Sequence, residues 1–112
     1  MKTQIDLTGA VCLVTLSGRF DAFHSAEIKN LLLQQAIPKS SRIVIDMSDV
    51  GFVDSSALAV LVQVMKHCRQ SSGDLRLSNL QQPVNVIFEL TQLNKAIRIF
   101  PDTDKAIKSF GA

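Results

Sequence analysis

The chain has 112 residues, 46% of them hydrophobic and 20% charged, with a formal net charge of +2. That length holds one compact domain over residues 1–112 with its own core and leaves no room for a catalytic domain joined to a regulatory one. The near-balanced, scattered charge gives no footprint for a nucleic-acid backbone, and no apolar run approaches the roughly 20 residues that span a bilayer. The amino terminus MKTQIDLTGA lacks a hydrophobic signal core, so the expectation is a cytoplasmic protein with no direct membrane insertion.

In chain order, Met1–Leu7 alternates weakly before Thr8-Gly9, and Ala10–Leu16 is an apolar, β-branched run closed by Ser17-Gly18. Together they predict an opening hairpin. Over Ala22–Ala36 the residues Ile28, Leu31, Leu32 and Ala36 share one helical face, with Asp21 or Ser25 as candidate N-caps and Pro38 just beyond the end. Arg42–Met47 (RIVIDM) predicts a buried central strand that ends in a polar turn at Ser48-Asp49.

A longer helix is predicted over Asp54–Gln70, where Ala57, Leu58, Leu61, Val64, Met65 and Cys68 make one broad stripe behind a natural cap, Asp54. Ser71-Ser72-Gly73 ends it, and Leu75 and Leu77 mark another strand. Pro83 opens a helix to about Leu90, Ile97–Phe100 is a further strand, and Asp102 caps a terminal helix with Ala106, Ile107 and Phe110 turned inward. The order β-β-α-β-α-β-α-β-α predicts an α/β fold with helices packed on a mixed sheet of four or five strands. Cys12 and Cys68 sit far apart within apolar segments and read as buried small hydrophobes, with no metal or cofactor implied.

Function is expected where the central strand meets the long helix. Asp46–Ser56 reads as a loop delivering two hydroxyls, Ser55 and Ser56, onto a first helical turn, where unsatisfied backbone N–H groups favour negative charge. At about 100° per residue, Ser55, Ser56, Ala59, Gln63 and Lys66 lie opposite the core stripe. Val60 and Val62 flank Ala59, either as the walls of a low docking surface or as wider core contacts.

Here the sequence resembles a known family. Ile45-Asp46-Met47-Ser48-Asp49-Val50-Gly51-Phe52-Val53-Asp54-Ser55-Ser56-Ala57-Leu58 looks like the signature of STAS domains of the anti-sigma-factor-antagonist type, which typically ends Asp-Ser-Ser-Gly-Leu-Gly. Upstream, Gly18–Ala26 is similar to the family's Gly-x-x-Asp-x-x-x-Ala turn, and the closing Phe100-Pro101-Asp102 also agrees. The two glycines of the typical ending are Ala57 and Ala59 in this chain, which favours helix by up to about 1 kcal/mol each.

The resemblance implies a non-catalytic, phosphorylation-switched binding domain. Ser55 would be the phosphorylated residue, with Ser56 a secondary candidate. The kinase would be the anti-sigma factor itself, and a PP2C-type phosphatase would reverse the reaction. Asp21, Asp54, Ser56, Ala59 and Gln63 would belong to the partner surface. The alternative within the family is a constitutive scaffold, or a subunit of another signalling or lipid-transport assembly.

The switch also has a physical rationale. A phosphoserine adds about −1.5 to −2 charge where Asp49, Asp54 and Asp21 are expected. Two unit charges and a carboxylate about 7 Å apart, at an effective dielectric near 40, repel by about 2 kcal/mol, roughly thirtyfold in affinity for an acidic partner group.

Other activities find less support. Asp46 could stand where a response-regulator receiver carries its aspartate, but Asp6 stands alone without an acidic pair and the chain opens with a hairpin. For a serine hydrolase only His24 and His67 are available as base, and there is no Gly-x-Ser-x-Gly elbow. No phosphate-binding glycine loop is present for intrinsic ATP hydrolysis.

Overall fold

A computed structural model describes residues 1–111. Its elements are β1 (Lys2–Thr8), β2 (Val11–Phe20), α1 (Ser25–Leu31) continued by a π-helical turn (Leu32–Ala36), β3 (Arg42–Val53), α2 (Ser55–Gln70) and β4 (Asp74–Ser78). Then come α3 (Gln82–Leu90), a 3-10 turn (Leu93–Lys95), β5 (Ile99–Phe100) and α4 (Thr103–Lys108). The five strands form one sheet in the order β1-β2-β3-β4-β5. β1 runs antiparallel to β2, and the remaining pairs are parallel. This is the α/β fold and element order that the sequence predicts.

Alternation along the strands assigns their two faces. Cys12, Val14 and Leu16 of β2, Ile43, Ile45 and Met47 of β3, and Leu75 and Leu77 of β4 pack with Ile28, Leu61, Val64, Val84 and Phe88 in the main core. The intervening Val11, Leu13 and Val44 meet Ala106 and Ile107 of α4 and Phe110 just beyond it on the opposite face. Cys12 and Cys68 are fully buried, and burial pushes the Cys68 thiol up to about 12, so it packs as a neutral hydrophobe.

Three local expectations are corrected. The first helix begins at Ser25 rather than Ala22 and ends in a π turn closed by Ile37 N–H donating to the Leu32 carbonyl. Its N-cap position is His24, without a side-chain cap, because Asp21 turns back to accept from Phe23 N–H and Ser25 donates to the Asp21 carbonyl. The last strand is shorter than Ile97–Phe100, with Ile97 held in the main core before the strand starts.

The third correction bears on function. Ser48-Asp49 is no turn: β3 continues to Val53. Its pairing with β4 stops at Asp46 and Ser78, whereas pairing with β2 runs on to Phe20 and Val53 through two register shifts. Each shift places an extra residue in β3, so the polar and glycine positions sit in bulges of an overhang paired on one side only. The Gln81 side chain donates to the Ser48 carbonyl on the open side. The overhang carries the chain directly to the first turn of α2.

Candidate functional site

Asp54 joins two segments distant in sequence. Its Oδ1 accepts from the backbone N–H groups of Ser56 (3.0 Å) and Ala57 (3.1 Å) and from the Ser56 hydroxyl, which caps α2 as expected. Its Oδ2 accepts from Ala22 N–H at 2.9 Å, fastening the turn after β2 to the helix start. The Ser56 hydroxyl, above all, holds the Asp54 carboxyl below its ordinary range. Partial burial opposes this, and the N–H groups of Ala57, Ala22 and Ser56 reinforce it.

The two serines have different surroundings. Ser56 is half-buried, and its hydroxyl lies 2.7 Å from that of Ser25, whose oxygen is in turn 2.7 Å from the Asp21 carbonyl. Since Ser56 donates to Asp54, the single Ser25 proton serves either the Asp21 carbonyl or Ser56. Ser55 is exposed, and among the described residues its hydroxyl makes no hydrogen bond. The N–H groups expected to welcome an added anion are those that Asp54 already occupies.

Asp21 sits beside this cluster. It accepts from Phe23 N–H and lies 3.1 Å from His24 Nδ1 and 3.6 Å from Arg19 Nε. The Arg19 guanidinium in turn covers the Phe52 ring at 3.9 Å. Ala59 and Gln63 are exposed on the same side of α2 as Ser55. Val60 is buried and Val62 packs against the main core, so the valines are core contacts and not the walls of a low docking surface.

The sequence reading missed Phe23, which is 89% exposed and rests edge-on against His24 at 5.1 Å between ring centroids. Its only signal was an aromatic residue in an otherwise polar turn. Neither histidine bonds the Ser55 hydroxyl: His24 is engaged with Asp21, and His67 is exposed on α2. Asp46 accepts from Ser48 N–H and the Asn79 amide inside a network that includes Thr103 and Ser78. Among the described residues no three His, Cys, Asp or Glu side chains converge as metal ligands, and no helix is long and apolar enough to cross a membrane.

Comparison with known proteins agrees with this architecture. A family model described as STAS domain matches residues 2–106. An anti-sigma-B factor antagonist of Listeria monocytogenes is 29% identical over 86 residues, covering 77% of this chain and 75% of the relative. An anti-sigma F factor antagonist of Paenibacillus polymyxa is 26% identical over 111 residues, covering 96% of this chain and 94% of its own. The crystal structure of an anti-sigma factor antagonist from Mycobacterium paratuberculosis superimposes with a TM-score of 0.86 at 21% identity, covering 96% of this chain and 92% of that one.

Proposed function

Because the chain belongs to the STAS-domain family, we propose that it is an anti-sigma-factor antagonist of the bacterial cytoplasm, switched by phosphorylation of Ser55. Unphosphorylated, it sequesters an anti-sigma factor through a surface comprising Asp21, Asp54, Ser56, Ala59 and Gln63. That partner, acting as a serine kinase, phosphorylates Ser55 and is released, and a PP2C-type phosphatase restores binding. The names of the Listeria and Paenibacillus relatives support the antagonist role.

One observation carries the choice of residue: the Ser55 hydroxyl is exposed and unengaged, whereas that of Ser56 is tied to Asp54 and Ser25. Esterifying Ser55 breaks no internal bond. The new charge meets no vacant N–H from Ser56 or Ala57, since Asp54 holds both, and it adds to the negative charge of Asp54 itself. The repulsion is therefore presented to the partner while the domain keeps its shape. Asp54 supplies charge and positioning, both of its carboxylate oxygens being engaged within the domain.

The test is incubation with ATP and lysate of the host bacterium, followed by intact-mass measurement and peptide mapping of wild type and Ser55→Ala. One phosphate on Ser55, absent from the variant, is expected. No phosphate in a lysate active on another substrate would replace the switch by a constitutive scaffold. Phosphate confined to Ser56 would move the switch to that hydroxyl.

A further inference from the structure

We infer that the far half of the same α2 face is a second docking element, a cationic groove that receives an acidic segment of the anti-sigma factor. This rests on the partner-binding reading above and gives that partner a definite chemistry. Lys29 of α1 and Gln63, Lys66, His67 and Gln70 of α2 line a groove of about 320 Å³ between the two helices. Among the described residues, none of the ion pairs involves Lys29, Lys66 or His67. The same holds for Lys2, Lys39, Arg42, Lys95, Arg98 and Lys108, so what distinguishes Lys29 and Lys66 is that they share one groove.

Basic residues in the last turn of a helix are ordinarily explained by the helix dipole, and Lys29 and His67 are so placed on their own helices. The dipole does not account for Lys29 and Lys66 facing one groove from two helices with no acid between them. Gln63 belongs both to the exposed stripe that starts at Ser55 and to the groove lining, so the two surfaces are continuous. From Ser55 to Lys66 the helix advances about 16 Å, well inside one ordinary protein–protein footprint of about 800 Å² per partner.

The face is therefore polarised. Asp54 makes its Ser55 end acidic, the charge of nearby Asp21 being met by Arg19, and Lys29 and Lys66 make its far end basic. An acidic partner segment is drawn to the groove and kept off the Ser55 end by Asp54, which fixes its orientation along α2 and speeds encounter. A phosphate on Ser55 adds to the repulsive end and leaves the groove unchanged.

The experiment measures binding of each purified anti-sigma factor of the host bacterium to four full-length chains: wild type, Ser55→Asp, Lys29→Glu/Lys66→Glu and Lys29→Gln/Lys66→Gln. At about 50 mM salt the charge reversal is expected to weaken binding tenfold or more, chiefly through slower association, with the neutral pair intermediate. Raising the salt should narrow the gap, and the thermal melts should match wild type. Reversal and wild type within twofold of each other, with Ser55→Asp still abolishing binding, would overturn the groove while leaving the proposed function standing. A wild-type chain that binds none of these factors would overturn the proposed function and the groove with it.

Discussion

The two ends of α2 are held by different means. At the amino end, Asp54, Ser56, Ser25 and Ala22 form a small network of neighbouring turns at the surface, and Ser55 stands outside it. At the carboxyl end, the N–H of Gly73 donates to the Cys68 carbonyl and that of Ser72 to the Arg69 carbonyl, a Schellman closure with Ser72 at φ 61. Beside it, Arg69 and Arg76 meet the buried Asp74 at 2.9 and 3.0 Å. Arg69 also donates to the Ala96 carbonyl, while Arg76 reaches Ser109 and stacks on Phe110. One end ties α2 to β4 and to the segment before β5. The other end is hydrogen-bonded without involving the residue proposed to be modified, so charge can be added there without dismantling the fold.

The largest effect should follow from breaking the locked end. A Cβ at Gly73 would lie 2.0 Å from the Ser41 carbonyl oxygen and 2.5 Å from its carbon, and both are backbone atoms that the β3–β4 ladder holds in place. Gly73→Ala should cost about 3 kcal/mol, seen in denaturant unfolding as a lower midpoint at unchanged slope. A loss under 1 kcal/mol would mean that the backbone relaxes at this junction. The requirement is close approach rather than backbone conformation, since Ser72 adopts the left-handed geometry that a glycine would occupy more easily.

That glycine illustrates how the sequence is and is not legible. Ser71-Ser72-Gly73 marks the end of a helix by composition, but nothing local reveals that the glycine is needed against Ser41, a contact between positions 32 residues apart. The helical stripe of α2 and the caps Asp54 and Asp102 were readable because 3.6-residue periodicity and capping depend on near neighbours. Ser48, Asp49 and Gly51 suggested a turn because turn residues also suit bulges, and only the pairing with β2 decides between the two. At the site, the pattern located the serines and the cap. What separates Ser55 from Ser56 is a hydroxyl contact with Ser25, 31 positions earlier, and the tie from Asp54 to Ala22 is equally nonlocal.

The next effect tests the surface network through Asp54. Asp54→Ala removes the acceptor for the N–H groups of Ser56, Ala57 and Ala22 together and should lower Tm by about 5 °C or more. The pH dependence has a definite sign. The folded carboxyl titrates below its unfolded value, so its stabilisation is fully present above about pH 4 and is lost as pH falls through the lower folded value. The difference between wild type and Asp54→Ala should therefore shrink on acidification below pH 4. A difference that stays constant into that range would show that the cap does not depend on ionisation.

The smallest effects make the sharpest comparison, because they fall on adjacent serines. Ser56→Ala deletes the hydroxyl that donates to Asp54 and contacts Ser25, and should cost about 1 kcal/mol while raising the acid midpoint, since its hydroxyl is the foremost cause of the low Asp54 value. Ser55→Ala deletes an exposed hydroxyl with no hydrogen bond among the described residues and should change stability by no more than about 0.5 kcal/mol, with the acid midpoint unmoved. Parallel urea and acid titrations of the two variants separate these outcomes. Equal losses would place Ser55 inside the network and remove the structural basis for choosing it as the switch. A neutral Ser55→Ala beside a destabilised Ser56→Ala would show that the cap network and the exposed hydroxyl are energetically separable along one helical turn, which a reversible modification at Ser55 requires.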